Sequence, residues 1–332
     1  VNAPAPVAER PIPDGLPGRV GRYRLDTGGR VGWDEAVTTD TATDVFEENR
    51  PLLMGVAYRM LGRVADAEDV VQDAWLRWAG ADRAKVREPR AYLVRVTTRL
   101  AIDRLRQVKA RDEAYVGPWL PEPYVTDFGD TVPDTADRAL LADSVSLAVL
   151  VVLESLSPLE RAVFVLREAF GYPYAEIAEL LDRGEAAVRQ LAGRARRHVE
   201  ERRPRYDVDP AQRRDLTRRF LAAATEGDLE GLMSLLAPEA RLVGDSGGKA
   251  KAPVRELHTA DKVGRFLAGA VGKGVVPGMS YEFIEVNGGV AVLVLLDGKP
   301  DSVFQVDIVD GLVSTVYIVR NPDKLRSLAN TV

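Results

Sequence analysis

The 332-residue chain has no cysteine. Disulfides, thiolate metal sites and cysteine nucleophiles are therefore excluded, and the expected setting is a reducing cytoplasm. Histidine is nearly absent as well: His198 and His258 are the only two. A multi-histidine metal centre is ruled out, and neither a serine elbow nor an Asp-His pair points to nucleophilic chemistry. No catalytic residue, cofactor or metal is expected. Long apolar runs are missing too. The apolar stretch near the start is cut by Pro4, Pro6, Pro11, Pro13 and Pro17, and it lacks the basic-then-apolar layout of a signal peptide. The chain is expected to be soluble, without a membrane partner. An excess of positive charge is also lacking, since 45 Lys+Arg stand against 50 Asp+Glu.

Against that acidic balance one stretch is conspicuous. "RGEAAVRQLAGRARRHVEERR", residues 183–203, holds seven arginines and three glutamates. Its neighbours give it a context. "YPYAEIAELL" places Tyr174, Ile177, Ala178 and Leu181 at helical spacing, and Asp182-Arg183-Gly184 breaks it. In the stretch itself Val188, Leu191, Ala192, Ala195 and Val199 share one face, leaving Arg189, Gln190, Arg194, Arg196 and Arg197 on the other. Two helices joined by a tight turn, the second basic, make a helix-turn-helix whose second helix suits a DNA major groove. Just before it, "SPLERAVFVLREAF" opens with a capping box: Ser157, Pro158 and Glu160.

The remainder divides by pattern. Residues 1–44 are rich in Pro and Gly and read as a flexible arm. Residues 45–111 are helical, with 3.6-residue apolar periodicity through Leu52, Val56 and Met60. They end in a basic amphipathic helix, 87–111, with eight Lys/Arg and two acids. Its inward residues should be Tyr92, Leu93, Val96, Leu100 and Leu105. Residues 112–137, which include "WLPEP", read as a linker, and 138–203 as a second helical domain starting with a helix at about 138–155. From 204 to 332 three helices and a strand precede four β-rich runs at 279–286, 289–296, 302–309 and 312–319, separated by "NGG", "DGKPD" and "DG". That pattern is an α+β domain with a mostly antiparallel sheet.

Two segments leave alternatives open on chemistry alone. Asp66, Glu68, Asp69 and Asp73 form a cluster without a base. It is either a solvated helix start favoured by the dipole or a protein-docking face to which Val70, Gln72 and Leu76 add contact. "GDSGGKAKA" is no phosphate loop, since three residues separate Gly244 from Gly248 and Ala250 replaces the required Ser or Thr.

Taken in order, "DAEDVVQDAWLRW", "RAYLVRVTTRLAIDRLR", "SPLERAVFVLREAFGYPYAEIAELL" and "VRQLAGRARR" resemble the conserved regions of group-four, extracytoplasmic-function sigma factors of the sigma-70 type. "WLPEP" (119–123), "NPDKL" (321–325) and a variant of an Asp-Gly-Gly-Gly-Lys motif at 245–249 resemble the subgroup with a C-terminal SnoaL-like, NTF2-like extension. The resemblance implies two all-α domains, the second with the helix-turn-helix, followed by an α+β cone with a curved sheet. It implies that Asp66, Glu68, Asp69, Val70, Gln72, Asp73 and Leu76 grip the β′ clamp helices of core RNA polymerase, with the β flap as a further contact. It implies that Tyr92, Arg95, Arg99, Asp103, Arg104 and Arg106 serve the minus-ten element. Glu185, Arg189, Gln190, Arg194, Arg196 and Arg197 would serve the minus-thirty-five element. Many relatives carry Ser-Arg-Leu where this chain has Gln190-Leu191-Ala192, a difference in base preference rather than in docking.

The regulatory positions so implied are Asp245, Lys249, Asn321, Pro322, Asp323, Lys324 and Leu325. Asp245, Gln305, Asp307 and Tyr317 are candidates to line a pocket in the cone, for an unknown small ligand, although the simpler expectation is surface or turn residues. The "NPDKL" segment should contact the promoter-reading domains or polymerase; a capping turn after the last strand is the alternative. The expected function is promoter-specific initiation, with the fused domain modulating it through an intramolecular contact. The rivals are a polymerase-independent, ligand-sensing DNA-binding regulator and an NTF2-like enzyme fused to a DNA-binding module.

Overall fold

The computed structural model describes residues 22–25, 31–34, 41–109, 115–125, 146–202, 210–271 and 277–330. It divides into two units, 1–45 and 46–332. In the first, β1 (Arg22–Leu25) pairs antiparallel with β2 (Val31–Asp34), with Tyr23 opposite Trp33. The sequence led us to expect an irregular arm here. Strand-favouring aromatics in register account for the hairpin, and the rest of 1–40 lies outside the described residues.

The second unit begins along α1 (Thr41–Leu61), followed by α2 (Val64–Ala79) and α3 (Pro89–Lys109). Leu53, Val56, Ala57 and Met60 of α1 are fully buried, as are Ala67 and Ala74 of α2 and Leu93 of α3. Tyr92 and Leu100, expected inside, are half-buried, whereas Thr97 and Thr98 are fully buried. A second bundle holds α4 (Leu147–Leu153), α5 (Pro158–Phe164), a π turn (Val165–Ala169), α6 (Tyr174–Leu181) and α7 (Glu185–Arg202). The capping box is present in both directions: Ser157 Oγ accepts from Glu160 N, and Glu160 accepts from Ser157 N. Asp182, at φ 56°, closes α6 in the left-handed region and turns the chain into α7. Residues 138–145 of the expected first helix lie outside the described residues.

The two bundles touch. Helix α3 contacts α5 and α6. Arg161 of α5, 1% exposed, donates from Nη1 to the Met60 carbonyl of α1 at 2.7 Å and to Glu154 at 2.8 Å.

The C-terminal region contains α8 (Pro210–Glu226), α9 (Leu229–Leu235), β3 (Leu236–Asp245), β4 (Leu257–His258), α10 (Ala260–Val271), β5 (Met279–Val286), β6 (Gly289–Leu296), β7 (Lys299–Val309) and β8 (Leu312–Val319). The six-stranded sheet runs β4-β3-β8-β7-β6-β5, with only the β3–β8 pair parallel. Asn287-Gly288, Asp297-Gly298 and Asp310-Gly311 turn the three hairpins, both residues of each pair at positive φ, which matches the right-handed strand twist. Strand β7 starts three residues earlier than expected. Asp297-Gly298 is the whole turn, and a register shift beside Leu295 accommodates Pro300.

The central strands β3, β8, β7 and β6 bury side chains on both faces of the sheet, whereas the edge strand β5 is exposed along most of its length. Val292, Val316 and Ile318 face a core with Leu216 and Phe220 of α8, Leu232 of α9 and Val263 of α10. Ala291, Leu293, Tyr317 and Val319 face a second core that takes in Leu120, Leu147 and Ala148. The second core therefore joins the sheet to α4 and to the extended segment 115–125. That segment, expected as linker, is held against the sheet: Val125 bridges to Val286, and Leu120 and Glu122 are buried. Residues 112–114 and 126–137 lie outside the described residues.

Candidate functional site

The acidic cluster splits on α2. Glu68, Asp69, Gln72, Asp73 and Leu76 form an exposed stripe at i, i+3, i+4 spacing, with Leu76 61% exposed. Asp66 and Val70 are buried instead. Val70 belongs to the apolar stripe, and Asp66 accepts from Arg104 Nη2 at 2.5 Å and Nε at 3.1 Å. That pair also engages Arg104, which is half-buried, and raises its pKa through the Asp66 hydrogen bond. Asp66 and Arg104 thus tie α2 to α3, while Arg95, Arg99, Asp103 and Arg106 remain exposed on α3. The Tyr92 ring lies 5.8 Å from Trp78.

On α7, Glu185, Arg189, Gln190, Arg194 and Arg197 are exposed and Arg196 is half-buried. Several are already paired. Arg194 reaches Glu160 at 2.9 Å, Arg196 reaches Glu168 at 2.6 Å, and Arg189 holds Glu185 while lying over the Tyr174 ring. Burial works against the Glu160 charge, but hydrogen bonds from Ser157 and Arg194 win and hold its pKa below the ordinary range. Exposed pairs of this kind are worth about 0–1 kcal/mol, so a phosphate can displace the carboxylates cheaply. We expect alanine at Arg189, Gln190 or Arg194 to weaken duplex binding by about 1–3 kcal/mol at one base position if that side chain reads a base. Arg197→Ala should weaken all sequences alike and flatten the salt slope by about one unit. Unchanged duplex binding by the fourfold alanine variant would leave α7 merely a solvated face.

The C-terminal motifs converge on the strap formed by residues 115–125. Asp245, fully buried, accepts from Tyr115 Oη at 2.5 Å, Leu120 N at 2.8 Å, Gly247 N at 3.1 Å and Lys324 Nζ at 2.6 Å. Lys324 is 3% exposed, also donates to the Leu120 carbonyl, and sits 4.1 Å from the Trp119 ring centroid. Burial pushes its pKa down to about 8, against the attraction of Asp245, and burial pushes Tyr115 up. Asn321 caps the short helix Pro322–Lys324 and donates to Tyr115 Oη at 2.9 Å. Lys249 pairs with Asp323. The "NPDKL" segment therefore forms the capping turn and contacts the strap, and Leu325 enters the second core. Of the remaining pocket candidates, Gln305 is buried and donates to the Val286 carbonyl at 2.9 Å. Tyr317 lies in the second core, and Asp307 sits on β7. A cleft of about 250 Å³ lies at the junction, lined by Arg63, Tyr115, Trp119, Lys249, Asp323 and Lys324 among others. Among the described residues no cluster of His, Asp and Glu could hold a metal ion, and no helix is long and apolar enough to cross a membrane.

The strap also grips the first bundle. Glu122 Oε2 accepts from Val64 N at 2.9 Å, Glu122 N donates to the Gly62 carbonyl at 2.7 Å, and Tyr58 Oη donates to the Glu122 carbonyl at 2.6 Å. Asn287 Nδ2 donates to Tyr58 Oη at 2.6 Å, which links the sheet to α1 directly. Gly62 is required here. Its φ is +66°, and a Cβ would stand 2.8 Å from Trp119. Sequence reasoning missed Tyr58, Tyr115, Asn287 and Arg161. "WLPEP" and "NGG" marked the neighbourhood but gave no role to any one of these side chains.

Two helical domains, the second a helix-turn-helix with exposed arginines, strapped to an α+β domain built on a six-stranded sheet, define a multidomain transcription factor. The chain belongs to the extracytoplasmic-function RNA polymerase sigma factors. Residues 45–111 match Sigma-70 region 2 and residues 146–199 match Sigma-70, region 4. The chain is 42% identical to the ECF RNA polymerase sigma factor SigJ of Mycobacterium tuberculosis over 290 residues, 84% of this chain and 91% of that one. It is 39% identical to the probable ECF RNA polymerase sigma factor SigI of the same species over 201 residues, 60% of this chain and 68% of that one. The crystal structure of M. tuberculosis SigJ superimposes with a TM-score of 0.67 at 40% identity, covering 85% of this chain and 97% of that one.

Proposed function

We propose that the protein carries core RNA polymerase to particular promoters and that its C-terminal domain governs how far the two helical domains separate. The exposed stripe of α2 meets the polymerase clamp, with the β flap as a further contact, the outer face of α3 serves the minus-ten element, and α7 serves the minus-thirty-five element. The observation that carries the regulatory part is the strap. One segment is bonded to α1 and α2 through Glu122, to β3 through Asp245 and to the short helix Pro322–Lys324 through Lys324, while α4 shares the second core. A tethered domain acts at a high effective concentration, so weak contacts suffice. The setting is the cytoplasm, and no covalent chemistry is assigned to the cone. Asp245, the acid best placed for chemistry, already has four hydrogen-bonded partners, which disfavours the enzyme reading. A small ligand, if one acts, has its natural entry at the junction cleft.

Run-off transcription with core polymerase tests the regulatory part, comparing the full chain with an Asn321→Ala/Asp323→Ala/Lys324→Ala variant at equal folded concentration. Changed promoter occupancy or yield is expected; identical values in both would make the domain a passenger. For docking, Asp69→Arg with Asp73→Arg should weaken core binding at least tenfold, because like charges across an interface cost several kcal/mol. Unchanged affinity with an unchanged circular dichroism spectrum would remove this stripe from the polymerase interface.

A further inference from the structure

Helix α2 begins without a cap of its own. Its N-cap residue, Arg63, has extended backbone and makes no side-chain capping bond. The first amides of a helix lack intrahelical acceptors. Here the Val64 amide is satisfied from another part of the chain, by Glu122 Oε2 at 2.9 Å. The Glu122 backbone is fixed from both sides, since its N–H donates to the Gly62 carbonyl and its C=O accepts from Tyr58 Oη.

We propose that Glu122 is a positioning residue for polymerase docking: the strap caps α2, and through that cap it holds the stripe of Glu68, Asp69, Gln72, Asp73 and Leu76 in register. This rests on the reading that α2 docks the clamp. It adds that the docking helix is completed by a residue some 60 positions downstream, and that the state of the strap therefore sets the order of its first turn. Glu122 is 5% exposed, and burial raises its pKa against the opposing bond from Val64. The useful property is then the acceptor oxygen rather than the charge, and a glutamine should replace it.

The test uses the full chain and core polymerase. Loss of one cap is worth about a factor of five in equilibrium. Glu122→Ala should weaken core binding roughly fivefold, with faster hydrogen exchange at the amides of residues 64–67. Glu122→Gln should stay near the parent in both. Should alanine loosen the strap as a whole, the double variant Glu122→Ala/Arg63→Ser decides, because serine supplies a local cap. Recovered affinity supports the proposal, and affinity left at the Glu122→Ala level overturns it. Parental affinity in Glu122→Ala, while Asp69→Arg/Asp73→Arg still loses binding, overturns the cap and leaves docking intact. Parental affinity in both variants overturns the docking reading on which the cap depends.

Discussion

Lys324→Met is expected to destabilise the protein by about 3–5 kcal/mol, the usual consequence of removing one partner of a buried ion pair. Asp245 is fully buried, and the variant removes the lysine ammonium bonded to it. The bonds from Tyr115, Leu120 and Gly247 remain, which places the loss toward the lower end of that range. The strap should loosen with it, because Lys324 also holds the Leu120 carbonyl and lies against Trp119. Urea unfolding measures the first effect, and hydrogen exchange at the Leu120 amide the second. Asp245→Asn combined with Lys324→Met should lose less than the two single changes together, since a neutral pair no longer strands a charge. By contrast Lys249→Met breaks an exposed pair with Asp323 and should cost under about 1 kcal/mol. A pH series adds a signature. The folded pKa of Lys324 is about 8 against an ordinary 10.5. Between those values the unfolded chain binds more protons, so stability contributed through Lys324 rises with pH across that window and is lost as pH falls through about 8. The methionine variant should lack that slope. A loss below about 1 kcal/mol for Lys324→Met would mean that the strap is held without the Lys324–Asp245 pair, by its remaining hydrogen bonds and apolar packing.

The helices were legible because their information is local. Ser157 and Glu160 announce a start, Asp182-Arg183-Gly184 a turn, and Asn287-Gly288 a hairpin, and each acts within a few residues in the structure. The docking stripe was half legible. Acid count marked α2, but Asp66 and Val70 lie on the inner side of the same helix, and only the pairing with Arg104 shows why an acid sits there. The junction was the least legible part. Glu122 and Val64, Tyr58 and Asn287, or Asp245 and Lys324 are brought together from 58 to 229 positions apart, and no periodicity reports such a meeting. The short motifs at 119–123, 245–249 and 321–325 marked where to look through their resemblance to a family subgroup, but partner identity needed the fold.

Promoter binding should open the two helical domains by tens of ångströms. In the structure α3 contacts α5 and α6. Helix α3 has 21 residues and α7 has 18, about 32 and 27 Å at 1.5 Å per residue. With neighbouring helix axes about 8–10 Å apart, points on α3 and α7 lie within about 50 Å of each other. The minus-ten and minus-thirty-five elements are about 25 base pairs apart, near 85 Å at 3.4 Å per pair. One closed arrangement cannot meet both. The hold on closure is weak in one respect: Arg161 bridges to Met60 and Glu154, yet its buried Nε and Nη2 have no hydrogen-bond partner among the described residues. Unpaired buried donors of this kind cost about 1–3 kcal/mol, which lowers the work polymerase and DNA must do to part the domains. Because the chain has no cysteine, Gln107→Cys with Glu200→Cys gives a pair of spin or dye labels on exposed sites outside the proposed promoter-contact residues. The free protein should show a label distance below about 50 Å, and the complex with core polymerase and promoter one longer by about 30 Å or more. Arg161→Met should broaden the free distribution toward the long distance. A short distance retained in an active promoter complex, or a long one already dominant in the free protein, would refute the closed resting state.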